Sequence, residues 1–82
     1  MISKTAQSLQ VNPTLSTLLD DLGEECENVL SLLSQLKLSN LTADQKGDLL
    51  AELTGSICHI HVHTEDLPEL VENEILTLPD DA

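Results

Sequence analysis

The stretch that decides the fold is residues 13–36, PTLSTLLDDLGEECENVLSLLSQL. Apolar residues recur in it at alternating steps of four and three, which keeps them on one side of an α-helix. The members of this predicted seam are Leu15, Leu19, Leu22, Cys26, Val29, Leu33 and Leu36. Leu18, Leu30 and Leu32 widen the seam. An apolar stripe this wide predicts contact with more than one neighbouring helix.

Local signals place the start of this helix. In Asn12-Pro13, Asn is a preferred N-cap and Pro suits the first helical position, where its missing N–H costs nothing. Gly23 lies inside the helix, where glycine lowers stability by about 1 kcal/mol relative to Ala. We interpret Gly23 as a point where another helix approaches closely.

Charge divides the helix into two parts. Its acidic residues all precede Asn28, and residues 28–36 contain no charged side chain. We predict that this uncharged part contacts a second chain, either a partner protein or another copy. The alternative is an ordinary core face, covered by the protein's own second helix. The predicted interface residues are Val29, Leu30, Leu32, Leu33 and Leu36.

A second helix follows a short connection at residues 38–41. Thr42-Ala43-Asp44-Gln45 matches a capping box, and Leu41 precedes it as a hydrophobic staple. One predicted face of this helix is apolar, with Leu49, Leu50, Leu53, Ile57 and Ile60. The opposite stripe is predicted to face water, with Asp48, Glu52, Ser56, His59 and His63. Because the connection is short, the two helices should run antiparallel.

The sequence therefore predicts an all-α fold, an antiparallel hairpin of two long amphipathic helices plus a short C-terminal helix. Asp66 should cap that third helix, with Pro68 in its first turn and Glu69 completing a box-like pair. Its apolar residues are predicted to lie across the open end of the hairpin: Leu67, Leu70, Val71, Ile75 and Leu78. The predicted organisation is an arm at 1–11, one helical domain at 12–78 and an acidic tail at 79–82. We expect dimerisation or a partner to complete the domain, since chains this short bury little surface alone.

Residues 58–63, CHIHVH, alternate strictly between apolar and polar side chains, which is typical of a strand. We favour a helix, because a lone strand would find no pairing partner in this chain. The same segment holds the only candidate metal ligands, Cys58, His59, His61 and His63. Zinc sites usually draw ligands from two separated segments, so surface histidines are the simpler interpretation. A pH-sensitive contact is a further alternative, because histidine changes charge near neutrality.

Composition restricts the possible partners. The 82 residues include 15 acidic and 3 basic side chains, a formal net charge of −12, and no aromatic residue. Nucleic acids and anionic lipids require clustered Lys and Arg, and single-stranded nucleic acids also require aromatic stacking. These features argue against direct binding to nucleic acid or membrane. They favour a partner protein with a basic patch, or acids that serve solubility alone.

The location is predicted to be cytoplasmic. The N-terminal residues lack the apolar region of a signal peptide, and no apolar run approaches the roughly 20 residues of a membrane helix. Cys26 and Cys58 are too few for a disulfide scaffold, so reduced thiols are expected. A bridge between them across the hairpin is the alternative.

The segments Leu32-Leu33-Ser34-Gln35-Leu36 and Thr42-Ala43-Asp44-Gln45 loosely resemble those of small helical-hairpin adaptors. Examples are the plasmid repressor-of-primer fold and the small helical co-chaperones of type III secretion. The resemblance covers under half the chain and implies a hairpin, but it assigns no functional residue. The RNA-binding role of the first group would require a basic face, which this chain lacks.

No motif predicts a reaction. The glycines are isolated and do not form a phosphate loop, and no spacing of Ser, His and Asp suggests a catalytic triad. We therefore predict a non-enzymatic interaction module, an adaptor, chaperone or regulator without cofactor. Two alternatives are a metal- or pH-responsive protein that uses His59, His61 and His63, and an acidic nucleic-acid mimic that blocks a basic protein.

Overall fold

The computed structural model describes residues 9–79, and this part of the chain contains three α-helices and no strand. The helices are α1 at Pro13–Leu36, α2 at Ala43–His63 and α3 at Leu67–Leu76. The predicted all-α hairpin with a short C-terminal helix is confirmed. Residues 1–8 of the predicted arm and 80–82 of the predicted tail lie outside the described residues. The segment 58–63 is helical, so the strand alternative is wrong.

Two of the three predicted caps form. The Asn12 side chain accepts a hydrogen bond from the Leu15 backbone N–H at 2.9 Å, which satisfies one of the free donors at the start of α1. At α2, Thr42 and Gln45 exchange side-chain-to-backbone bonds in a complete capping box. The prediction for α3 is wrong, because Asp66 makes no side-chain capping bond there. A residue whose side chain caps a helix normally has an extended backbone, and the backbone of Asp66 is not extended.

Three polar contacts define how α1 and α2 pair. His63 lies at the level of Leu18, His59 at Glu25 and Ser56 at Asn28. Residue numbers therefore fall on α2 as they rise on α1, which is the predicted antiparallel arrangement.

The predicted seam of α1 is wrong at two of its seven positions, Cys26 and Leu33, which are exposed. The residues that are buried or half-buried along the observed seam are Leu15, Leu18, Leu22, Glu25, Val29, Leu32 and Leu36. Leu32 is 3% exposed, whereas its predicted counterpart Leu33 is 41% exposed. Leu19 remains half-buried beside the seam, and Cys26 is exposed. Both sets follow the same three-four repeat, so hydrophobic spacing alone does not separate them.

The predicted faces of α2 also need correction. Ser56 is buried and His63 is half-buried, although both were expected in water. Leu50 and Ile57, expected in the core, are exposed. The residues of α2 that turn towards α1 are Leu49, Leu53, Ser56, Ile60 and His63. The seam of α2 thus repeats with helical spacing but includes two polar side chains.

The third helix packs against α1 at the open end of the hairpin. Glu74 accepts hydrogen bonds from both the side-chain amide of Asn12, at 2.7 Å, and the Asn12 backbone N–H, at 3.2 Å. A carboxylate at the start of α1 also interacts favourably with the helix dipole. Leu15 and Leu67 are buried at this end. The prediction that α3 lies at the open end of the hairpin is confirmed.

Little of the apolar surface is covered within one copy. Among the described residues, only the hydrophobic side chains of Leu15, Leu32 and Leu67 are buried. The close approach predicted at Gly23 is wrong for the single chain, since no atom would lie within 4 Å of an added Cβ. Within residues 9–79, none of the helices combines the length and the apolar character needed to cross a bilayer.

Candidate protein-docking surface

The two sides of the hairpin differ in chemistry. On one, the acidic side, a groove between the long helices is lined by Asp21, Glu24, Glu25, Asn28, His59 and His63. On α1, Asp21, Glu24 and Asn28 are three or four residues apart and so share one flank of the seam. Histidines His59 and His63 share the matching flank of α2. The acidic side is therefore polar along most of the groove.

The opposite flanks form an apolar side. On α1 this flank carries Leu19, Cys26, Leu30 and Leu33, spaced by seven, four and three residues. On α2 it carries Leu50 and Ile57, also seven apart, with half-buried Leu53 between them. Since the acidic side takes the other flank of each helix, these residues face the same direction. Four of them, here named the tip patch, are exposed near the loop end: Leu30, Leu33, Leu50 and Ile57.

The third helix covers only the other end of the apolar side. Asn12, which bonds to Glu74, lies on the same stripe of α1 as Leu19, Cys26 and Leu30. The binding of α3 there coincides with the burial of Leu15 and the partial burial of Leu19. Beyond that point the apolar side has no covering helix in the described part of the chain.

The predicted interface residues divide between the seam and this surface. Leu32 is buried and Val29 and Leu36 are half-buried along the seam with α2. Leu30 and Leu33 lie in the tip patch and are available to another molecule. Sequence reasoning missed Leu50 and Ile57, which extend the accessible surface onto α2. Leu50 and Ile57 lie three and four residues from Leu53, so helical spacing placed both on the predicted core face, and no hydrophobic signal distinguished the centre of that face from its edge.

The charged residues are also distributed unequally between the acidic side and the apolar side. No Asp or Glu of α1 or α2 lies on the apolar side, because all of them occupy the groove or the outer edges of the helices. Lys37 and Lys46 are both on the apolar side, four residues from Leu33 and Leu50 respectively. These are the only lysines among residues 9–79. The tip patch is thus bordered by positive charge in a strongly acidic chain.

The candidate metal ligands are placed apart or already engaged. Because a carbonyl oxygen only accepts, His63 Nε2 donates to the Leu18 carbonyl at 3.0 Å. His59 Nδ1 lies 3.2 Å from Glu25 Oε1, and the two imidazole rings meet edge to face at 6.0 Å. His61 and Cys58 are exposed elsewhere on α2. Among residues 9–79, no three His, Cys, Asp or Glu side chains converge to hold a metal ion.

The cysteines do not pair across the hairpin. Cys26 and Cys58 are both free and exposed. Cys26 lies on the apolar side of α1, whereas Cys58 lies two residues from Ser56 and Ile60 and so faces away from α1. The alternative of a Cys26–Cys58 bridge is therefore wrong.

Comparison with protein families, with characterised proteins and with solved structures finds no match to this chain.

Proposed function

We propose that this chain is a small acidic protein–protein interaction module, which docks through the tip patch onto a protein surface. The observation that carries the proposal is the concentration of exposed aliphatic side chains on a side of the hairpin without acidic residues. Monomeric proteins rarely leave contiguous apolar patches uncovered, and such patches commonly mark interaction sites. An adaptor, chaperone or regulator acts through a surface of this kind.

The geometry of the tip patch suits a helical partner. Two antiparallel helices present Leu30, Leu33, Leu50 and Ile57 on the same side of the hairpin, and Val29 and Leu53 are half-buried along the seam. An amphipathic helix that packs on this side would complete a small helical bundle. The lysines at the border of the tip patch favour a partner helix with acidic residues at the corresponding end.

The acidic side supports a separate role in steering. A net charge of −12 attracts partners with basic surfaces and speeds their encounter. This is also the feature on which the nucleic-acid mimic hypothesis depends. Binding through acids weakens steeply as salt rises, whereas binding through the tip patch does not, so salt dependence separates the two.

The test uses the full chain and two matched variants. Leu30 is 63% exposed in the tip patch, and Val62 is 68% exposed on the far side of α2. Capture experiments with tagged chain, with partners identified by mass spectrometry and bound copies of the chain itself included, should show a protein held by wild type and by Val62→Glu. Leu30→Glu should lose it, because docking would bury an unpaired carboxylate. Equal capture by Leu30→Glu would contradict the proposal.

A further inference from the structure

We propose that the tip patch of one chain is covered by α3 of a second copy, in an antiparallel dimer. The inference rests on the proposed function and names its partner. It starts from a mismatch inside one copy. Within residues 9–79, no helix covers the tip patch, and α3 carries apolar side chains that are exposed.

The exposed residues of α3 and the segment after it supply the second surface. Ile75 and Leu78 are each more than half exposed, and Val71 is exposed on the same face of α3 as Ile75, four residues away. Leu76 is also exposed but points to a different side of α3. These residues lie at the open end of the hairpin, on the helix already bound to the apolar side through Glu74 and Asn12. A second copy turned end for end would place its α3 over the first copy's tip patch, and would receive the first copy's α3 in return.

Charge favours this orientation over the parallel one. The loop end carries Lys37 and Lys46, and the open end carries five acids between residues 65 and 74: Glu65, Asp66, Glu69, Glu72 and Glu74. In a parallel dimer the lysines of one copy would face the lysines of the other, and the acids would face the acids. In the antiparallel dimer each lysine pair faces an acidic helix, which opposes the repulsion expected between two chains of charge −12.

The available area is adequate. Each copy contributes seven exposed aliphatic side chains, four in the tip patch and three near the open end, Val71, Ile75 and Leu78. At these exposures they present on the order of several hundred Å² per copy, which approaches the roughly 800 Å² per partner of a stable interface. The pairing is also isologous, which means that both copies bury the same two surfaces. No surface of this kind is left free to bind a third copy, so the assembly is a closed dimer.

Sedimentation equilibrium of the full chain over a wide range of concentration tests the dimer. Wild type and Val62→Glu should give twice the 8.9 kDa chain mass. Leu30→Glu should weaken dimerisation more than about tenfold, because each copy would bury a carboxylate. Its circular dichroism should remain helical, since Leu30 is exposed in the single chain. A monomeric wild type, or a Leu30→Glu chain that dimerises as wild type does, would overturn the inference.

Spin labels test the orientation. In a chain with Cys26→Ser and Cys58→Ser, a single label at Ser39→Cys reports the loop end. Helical rise predicts about 50 Å between the two labels when α3 covers the tip patch, and about 20 Å when the loop ends meet. A dimer with the short distance would overturn the antiparallel arrangement.

The outcomes for the two proposals differ. If the chain is monomeric but Leu30→Glu still loses a different captured protein that Val62→Glu retains, the second copy is wrong and the docking function stands. If the monomer captures nothing through the tip patch, both fail.

Discussion

The two sides of the same hairpin show how one pair of helices separates packing from recognition. The acidic side is a groove in which polar groups of α1 and α2 contact each other, as Asn28 donates to Ser56 at 2.8 Å. The apolar side has aliphatic residues on both flanks, yet α3 covers only its open end. Polar contacts thus help to hold the helices together on one side, and apolar side chains remain exposed on the other. Hydrophobicity alone would have predicted that the apolar side chains pack between the helices and that the polar groups face water.

The largest expected difference lies between two adjacent leucines. Leu32→Ala should lower the free energy of unfolding by about 2–5 kcal/mol, since it removes a buried side chain from the seam. Leu33→Ala should cost far less, because Leu33 is substantially exposed. Urea denaturation followed by circular dichroism measures both.

These measurements are best made in the Leu30→Glu background, where association should not contribute to stability. Equal losses for the two leucines, or a larger loss at Leu33, would mean that α1 presents a different flank to α2.

The same pair shows how far sequence reasoning reached. The three-four repeat located α1 and positions 15, 22, 29 and 36 of its seam, because both possible seams share them. The two possible seams differ at 18 or 19, 25 or 26, and 32 or 33. Leucine occupies both alternatives at the first and last of these, so only Glu25 and Cys26 distinguish the seams, and hydrophobicity favours the seam that contains cysteine. The structure instead turns Glu25 towards α2, where His59 provides a polar partner. Whether Glu25 or Cys26 faces α2 depends on the register between the two helices, and the sequence pattern within α1 carries no information about that register.

The helix caps could be predicted from local sequence, whereas the docking surface could not. Asn12 and Thr42 were correctly predicted because an N-cap bonds to residues two or three positions away. Leu50 and Ile57 were missed because their exposure depends on the register of α2 against α1. The Glu74–Asn12 contact joins residues 62 positions apart, and no local signal predicts it.

A second prediction concerns the junction of α3 with the apolar side. Asn12→Ala should destabilise the fold by about 0.5–2 kcal/mol, because it removes the cap of α1 and a donor to Glu74. Glu74→Gln is the matched control, which retains the size of the side chain and should have a smaller effect. Thermal unfolding measures both variants. If Asn12→Ala leaves the unfolding temperature unchanged, α3 is not anchored through this residue.

On the acidic side, Ser56→Ala should cost about 1 kcal/mol or somewhat less, since it removes the acceptor of the Asn28 amide while slightly improving helix propensity. Thr54→Ala serves as the comparison, because the Thr54 hydroxyl bonds only to the Leu50 carbonyl of its own helix. Chemical denaturation should rank Ser56→Ala as the less stable variant. The opposite order would show that the polar seam contributes nothing to pairing.

The smallest expected effect is that of salt. Raising the ionic strength should stabilise the chain modestly, because screening reduces repulsion among 15 acidic residues opposed by only 3 basic ones. Denaturation midpoints in low and high sodium chloride measure the change. A decrease in stability would indicate that attractive ion pairs outweigh the repulsion on the acidic side.

The central claim, that the apolar side is the docking surface, is tested most directly by carbene footprinting of side chains with mass-spectrometric readout at increasing protein concentration. The account predicts that labelling of Leu30, Leu33, Leu50 and Ile57 falls as copies associate, together with that of Val71, Ile75 and Leu78. Labelling of Val62, which is 68% exposed on the far side of α2, should stay constant. Protection of Val62 with no change at the tip patch would contradict it.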